Sequence, residues 1–264
     1  MLWRIRKDGH DSYLYGTLHV GRSLWIAPGP KLAAALRASD ALALELDPLD
    51  PQVQATMRAS LAQRPEVALP AALRQRLDQQ LARECLTAMA ADLGPAEMQV
   101  MGLATLVGRR AGYDPSFGSE VLLSAMARQG GMPVLSLETV DQQLDALLAP
   151  DAAQAVQAVE EGLDDLESGR QARVLLATVK AWEQSDAAAL ENYAAWCECT
   201  DTPLAREQMH RLLDQRNPLM ARAIDQLHRE GKRVLAAVGS LHMVGPRGLP
   251  AVLAKQGYTV QRLQ

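Results

Sequence analysis

The chain has 264 residues, 48% of them hydrophobic, enough to bury a large core without help. Its formal net charge of -4 gives no electrostatic reason to expect nucleic acid, which demands Lys and Arg clustered along a face, and Arg109-Arg110 and Lys232-Arg233 read as solvated helix or strand ends. No apolar run approaches the ~20 residues of a membrane-spanning helix, and Met1-Leu2-Trp3-Arg4 lacks a signal-peptide core; the chain reads as soluble, cytoplasmic or exported behind a leader it does not carry.

Residues 2–16 read as a hairpin, with Trp3 and Ile5 alternating with polar residues, Asp8-Gly9 as a tight turn and Tyr13-Leu14-Tyr15 as the returning strand. A helix follows over residues 31–39, with Leu32, Ala35 and Leu36 on one face, and then a strand over 41–46 that stops at Asp47-Pro48. From about 51 to 130 the composition turns to Ala, Leu, Gln and Arg, which predicts several helices in series broken by Pro65, Pro70, Gly94-Pro95 and the loop at 112–115. A short strand at 134–137 ends at Glu138, and a second helical stretch occupies 139–213. At the end of the chain Asn217 is expected to cap a helix, Pro218 to start it and Gly231 to stop it; Val234-Leu235-Ala236-Ala237-Val238 is a strand buried on both faces, and a helix (248–255) and strand (258–263) finish a second β-α-β-like unit. The pattern is that of a single α/β (α+β-like) domain over 1–264, a split mixed β-sheet with strands at both chain ends and a large, mostly helical insertion at 51–130 and 139–213. Three cysteines cannot all pair, and Cys197 and Cys199 are too close in sequence for an ordinary disulfide; they read as a half-exposed helical pair rather than a bridge or a soft metal site.

Two strands end in nearly the same words, Gly16-Thr17-Leu18-His19-Val20-Gly21 and Gly239-Ser240-Leu241-His242-Met243-Val244-Gly245. With Gly at roughly 7% of residues, the chance that two of five histidines have Gly three places before them is on the order of 5%. Gly lets the chain turn or approach a ligand closely at a strand end, and in open α/β sheets ligands bind beyond the carboxyl ends of the strands. Glu45 and Glu138 stand at two other strand ends, so two imidazoles and two carboxylates converge on one expected site. Such donors suit Mn, Fe, Co or Zn. One Glu would ligate and the other serve as base toward a metal-bound water, in an order the sequence leaves open. Taken singly, a lone histidine reads as a surface residue and a strand-end Glu as a helix cap; His10, His210 and His228 are left as surface residues. A His-Glu-x-x-His zinc motif, a Gly-x-Ser-x-Gly elbow, a phosphate loop and a dinucleotide fingerprint are all missing.

These residues resemble the TraB/GumN family, which includes the Tiki metalloproteases and is marked by a pair of Gly-x-x-His motifs. Leu2-Trp3-Arg4-Ile5, Tyr13 to Gly21, Leu44-Glu45-Leu46-Asp47, Ser136-Leu137-Glu138-Thr139 with Gln142, Arg216-Asn217, Val238 to Gly245 and Gly257-Tyr258-Thr259-Val260 look like family landmarks in family order. The resemblance implies a split mixed sheet with helical insertion and, for the Tiki branch, a peptidase using Mn or Co. Carried over, His19 and His242 are the motif histidines, Glu45 and Glu138 the motif carboxylates and Arg216 the basic residue, with a guanidinium suited to an oxyanion or a substrate carboxylate. Asp114 stands where relatives show Gly-x-Asp, but Tyr113-Asp114-Pro115 departs from that pattern. The leading expectation is a metal-dependent hydrolase of peptide or related amide or ester bonds. Its rivals are a protein that binds metal, haem or peptide without turnover, and a helical interaction module in which the two loops only shape turns. Substrate, compartment and oligomeric state stay open.

Overall fold

The amino-terminal alternation closes into a hairpin in which β1 (Leu2–Lys7) and β2 (His10–Thr17) pair antiparallel around Asp8 and Gly9. Both turn residues have positive φ, 51° and 85°, the backbone that a two-residue hairpin turn requires and that Asp-Gly adopts readily. The computed structural model of the chain describes residues 1–87 and 93–264; residues 88–92 of the expected helical stretch lie outside the described residues.

Helix α1 (Pro30–Arg37) leads to β3 (Ala41–Leu44). Then come α2 (Pro51–Ala62), α3 (Ala71–Arg83), α4 (Ala96–Leu106) and α5 (Ser119–Gln129), and after them β4 (Val134–Ser136). The second helical stretch holds α6 (Val140–Leu147), α7 (Ala152–Glu167), α8 (Arg170–Glu183), α9 (Ala187–Glu191), α10 (Tyr193–Trp196) and α11 (Pro203–Met209). A π-helical turn (His210–Gln215) joins α11 to α12 (Asn217–Arg229). Strand β5 (Val234–Gly239), a 3-10 turn (Ser240–Met243), α13 (Leu249–Lys255) and β6 (Thr259–Arg262) follow.

The six strands form one sheet in the order β4-β3-β5-β2-β1-β6. Strand β5, from the far end of the sequence, lies parallel between β2 and β3, joining the amino-terminal hairpin to the β3–β4 pair. Only β1 runs against the rest, antiparallel to both β2 and β6. Both sheet faces are covered, which is why β5 is continuously apolar. Leu235 and Ala237 pack with Leu32 and Leu36 of α1 and Leu123 of α5, whereas Val234, Ala236 and Val238 pack with Met220 and Ile224 of α12 and Leu249 and Leu253 of α13. Each such Leu, Ile or Val contributes about 1.5–3 kcal/mol by leaving water. The middle helices build cores of their own, Leu77, Leu103 and Leu163 joining α3, α4 and α7, and Val53 and Met57 of α2 packing on Leu144 of α6. The result is an α/β fold with a mixed sheet and a helical middle. Its strands β2, β3, β4 and β5 present their carboxyl ends on one edge.

Two sequence expectations fail here. Cys197 and Cys199 are disulfide-bonded: Glu198 between them takes φ 54°, which brings the two Cα atoms to 5.0 Å, inside the usual range for a bridge. His228 is buried, not on the surface. Its Nε2 lies 2.9 Å from the Lys7 carbonyl and its Nδ1 3.0 Å from the Ser12 hydroxyl, and its ring stacks on His10 at 3.6 Å. His210 is exposed as expected.

Candidate active site

The two glycine-histidine loops leave adjacent strands, since Thr17 of β2 pairs with Gly239 of β5. Their glycines serve close approach. A Cβ on Gly16 would stand 3.2 Å from the Ser240 Cα of the other loop, and one on Gly239 would stand 3.2 Å from Glu45 Oε1 and 3.4 Å from the His242 ring. The indole of Trp182 on α8 donates to the Gly16 carbonyl at 2.7 Å, and Ser119 Oγ at the start of α5 accepts from Leu18 N at 2.8 Å, so the first loop is held from both sides.

Arg216 is the hub. It follows the π-helical turn, the kind of irregularity that often re-aims a side chain at functional sites, and it is buried. Its Nε and Nη2 donate to Glu138 at 2.9 and 2.6 Å in a bidentate pair; Nη2 also donates to Glu45 Oε2 at 2.5 Å, and Nη1 to the Leu212 carbonyl at 3.3 Å and His242 Nε2 at 3.4 Å. All five guanidinium hydrogens are thereby engaged. The longest of the five bonds, to His242, is the one most readily exchanged for another partner. Glu45 also accepts from Gly239 N at 2.8 Å.

The ionisation states follow from this packing. Burial opposes the charged form of Glu45, but His242, Arg216, His19 and the Gly239 amide together outweigh it and hold the carboxyl at about 2. Burial raises Glu138, with Arg216 pulling the other way. Burial brings His242 down to about 4, against the opposing pull of Glu45. Its Nδ1 lies 2.7 Å from Asn217 Oδ1, and the Asn217 amide is fixed by a 2.8 Å bond to the Arg247 carbonyl. An amide oxygen only accepts, so Nδ1 carries the proton and Nε2 turns a lone pair toward Arg216 and Glu45. His19 is the opposite case. Its exposed ring meets Glu120 Oε1 at 2.7 Å, and that carboxylate raises it to about 9.

The structure thus brings His19, Glu45, Glu138, Arg216 and His242 to one edge of the sheet. They do not share one surface. A cavity of about 450 Å³ is lined by His19, Glu45, Arg216 and His242, and a neighbouring one of about 260 Å³ by His19, Glu45 and Glu120. The Glu138 side chain is fully buried behind Arg216 and lines neither. The donor chemistry of His19, Glu45 and His242 suits a divalent ion of borderline hardness. Glu120 Oε2, buried and without a hydrogen-bond partner, is a further free oxygen beside His19. As the side chains stand, however, no three His, Cys, Asp or Glu residues among those described are gathered closely enough to hold an ion, because the guanidinium lies between the acids. Holding one would require Arg216 to leave His242 Nε2, which lies 4.0 Å from Glu45 Oε1, and His19 to give up the proton that Glu120 holds on it.

Glu120 and Asn217 are the residues that sequence reasoning missed. Asn217 is not the expected helix cap, since Arg216 before it already has helical φ and ψ of -81° and -38°. Asp114 lines neither cavity: its side chain caps the Pro115–Phe117 turn and pairs with Arg109 at 2.7 Å, while its backbone bridges to Gly21 at the end of the first loop.

Fold and site together define an α/β protein whose polar centre sits at the carboxyl ends of parallel strands, where such folds bind ligands. The chain belongs to the TraB/PrgY/gumN family, whose pattern matches residues 1–262. No curated protein and no solved structure matches it. No helix among the described residues is long and apolar enough to cross a membrane.

Proposed function

We propose that this chain is a divalent-metal-dependent hydrolase of peptide or related amide or ester bonds, with His19, Glu45 and His242 as the metal-holding residues and Mn or Co as the first ions to try. The observation that carries the reading is the state of His242: buried, neutral, its Nδ1–H fixed by Asn217 and its Nε2 lone pair beside an ionised Glu45. A ligating histidine needs its other nitrogen anchored in this way. One guanidinium between two carboxylates also leaves negative charge to be met by a cation. A bound ion would lower the pKa of its water toward 7 and polarise a carbonyl.

The chain's own groups do the rest. Asn217 fixes the tautomer of His242, and Glu138 anchors Arg216 from behind. Of the two carboxylates expected from sequence only Glu45 faces the cavities, and Glu120, with one free oxygen, takes the place of Glu138 as the second carboxylate of the site. When Nη1 leaves His242, its hydrogen becomes available to a substrate oxygen.

The experiment is to strip the protein, reload it with Mn, Co, Zn or Fe, and measure bound metal and cleavage of a peptide library for wild type, His19→Ala and His242→Ala. About one ion per chain and metal-dependent cleavage are expected in wild type, with both lost in the variants. Equal metal content in all three proteins rejects the reading. The engagement of all five Arg216 hydrogens within the protein favours one rival, a binding protein without turnover, which predicts peptide binding and no cleavage.

A further inference from the structure

The two cavities share Thr17, His19, Glu45 and Gln143 as common walls. Away from these residues each has an apolar part. The larger is lined by half-buried Leu147, Leu175, Leu212 and Leu213, the smaller by Val53 and Met57. Among the described residues, the charged or titratable groups lining them are the site's own histidines, Glu45, Glu120, Arg216 and, in the larger cavity, Tyr193; the charged ones are paired within the protein except that Glu120 keeps one oxygen, Oε2, without a partner. An acidic side chain entering either cavity would lose water without gaining a partner, as would the carboxylate of a chain terminus, and an amine would find only the one free oxygen of Glu120 in the smaller cavity. An apolar side chain would gain from burial on both sides. Gln143, half-buried on the shared wall, offers an amide donor and acceptor to a peptide backbone.

We infer that the substrate is an uncharged, apolar stretch of polypeptide bound by its middle, with one apolar side chain in each cavity and the bond to be cut lying over His19 and Glu45. The cut is then internal. This rests on the hydrolase reading for the cut, and on the cavities alone for the binding.

The test uses peptides acetylated and amidated at their ends, with Leu, Met or Phe, or else Asp or Lys, on each side of a central bond. Binding to the stripped full-length protein is read by fluorescence anisotropy and cleavage by the metal-loaded protein is read separately. Blocked peptides apolar on both sides should bind and be cut at least about tenfold better than those with Asp on either side, the order of one buried aliphatic side chain. Leu213→Lys should erase the preference on one side of the bond and Met57→Lys on the other. The substrate series needs no variant, so a misfolded variant does not spoil the test. Preference for charged residues, equal treatment of all peptides, or a requirement for a free terminus overturns the inference. Selective binding of blocked apolar peptides with no cleavage sustains it and removes the hydrolase reading instead; absence of binding by any peptide overturns it.

Discussion

Asn217 accepts the Nδ1 proton of His242 across 2.7 Å while its own amide hydrogen is held by the Arg247 carbonyl at 2.8 Å, so one buried side chain sets the tautomer of another. Asn217→Ala should leave a buried N–H without a partner, at about 1–3 kcal/mol, and, on the metal-site reading proposed above, weaken metal binding by roughly 10–100-fold, as outer partners of a ligating histidine do. Asn217→Asp should instead raise His242 from about 4, because a carboxylate favours the imidazolium. Nitrogen-15 NMR of the imidazoles reads both changes. An unaltered His242 spectrum in Asn217→Asp would dismiss the relationship.

Removing one partner of a buried charge pair costs far more than removing both. Arg216→Met should destabilise the chain by about 3–5 kcal/mol, since it strands Glu45 and Glu138 together. The double variant Arg216→Met with Glu138→Gln should recover part of that loss. Urea unfolding of the two single variants and the double variant gives the coupling directly, and strictly additive effects would show that the pair is not a unit.

His242 is buried with a folded-state pKa of about 4, and burial also lowers His228. Unfolded imidazoles titrate near 6.5, so below that pH the unfolded chain binds protons that the folded chain refuses. Stability from His242 is fully present above pH 6.5 and declines as pH falls from 6.5 toward 4, by up to about 1.4 kcal/mol per unit, and His228 adds a loss of the same sign below pH 6.5. Glu45, held at about 2, adds a separate loss below pH 4.5. Urea midpoints for wild type and His228→Gln between pH 7.5 and 5 should show a shallower slope in the variant; parallel curves would contradict the buried neutral histidine.

The bridge between Cys197 and Cys199 leaves Cys85 as the free thiol. Thiol titration of the denatured, unreduced protein should count one reactive sulfhydryl per chain, and three would contradict the bridge. Because the closed loop is so short, Cys197→Ala with Cys199→Ala should lower stability by only about 1–2 kcal/mol.

What the sequence revealed and what it hid divide along physical lines. The repeated Gly-x-x-His loops were legible because strand, glycine and histidine are local, and Glu45 because it directly follows an apolar strand. The role of Glu120 was hidden: an acidic residue in the first turn of α5 looks like any partner of a helix dipole, and nothing local ties it to His19. Asn217 misled because Asn-Pro opens many helices, yet here the π-helical turn already supplies helical backbone before it and no cap is needed. His228 could have been found, since it lies four residues beyond Ile224 on the buried face of α12. The cysteine bridge depends on a left-handed Glu198, a conformation that no glycine announced.

The position of β5 has a consequence for biosynthesis. Thr17 and Gly239 are neighbours in the finished sheet but lie at opposite ends of the message, so the ribosome must emit most of the chain before β2 and β3 acquire the strand between them. Until then both carry unpaired edges, which invite association with other nascent chains. The reactive centre cannot exist earlier than that last insertion, so a fragment stopping short of β5 has neither a complete sheet nor a second histidine. Late assembly of this kind leaves the polar centre unformed for as long as the chain itself is still unfolded.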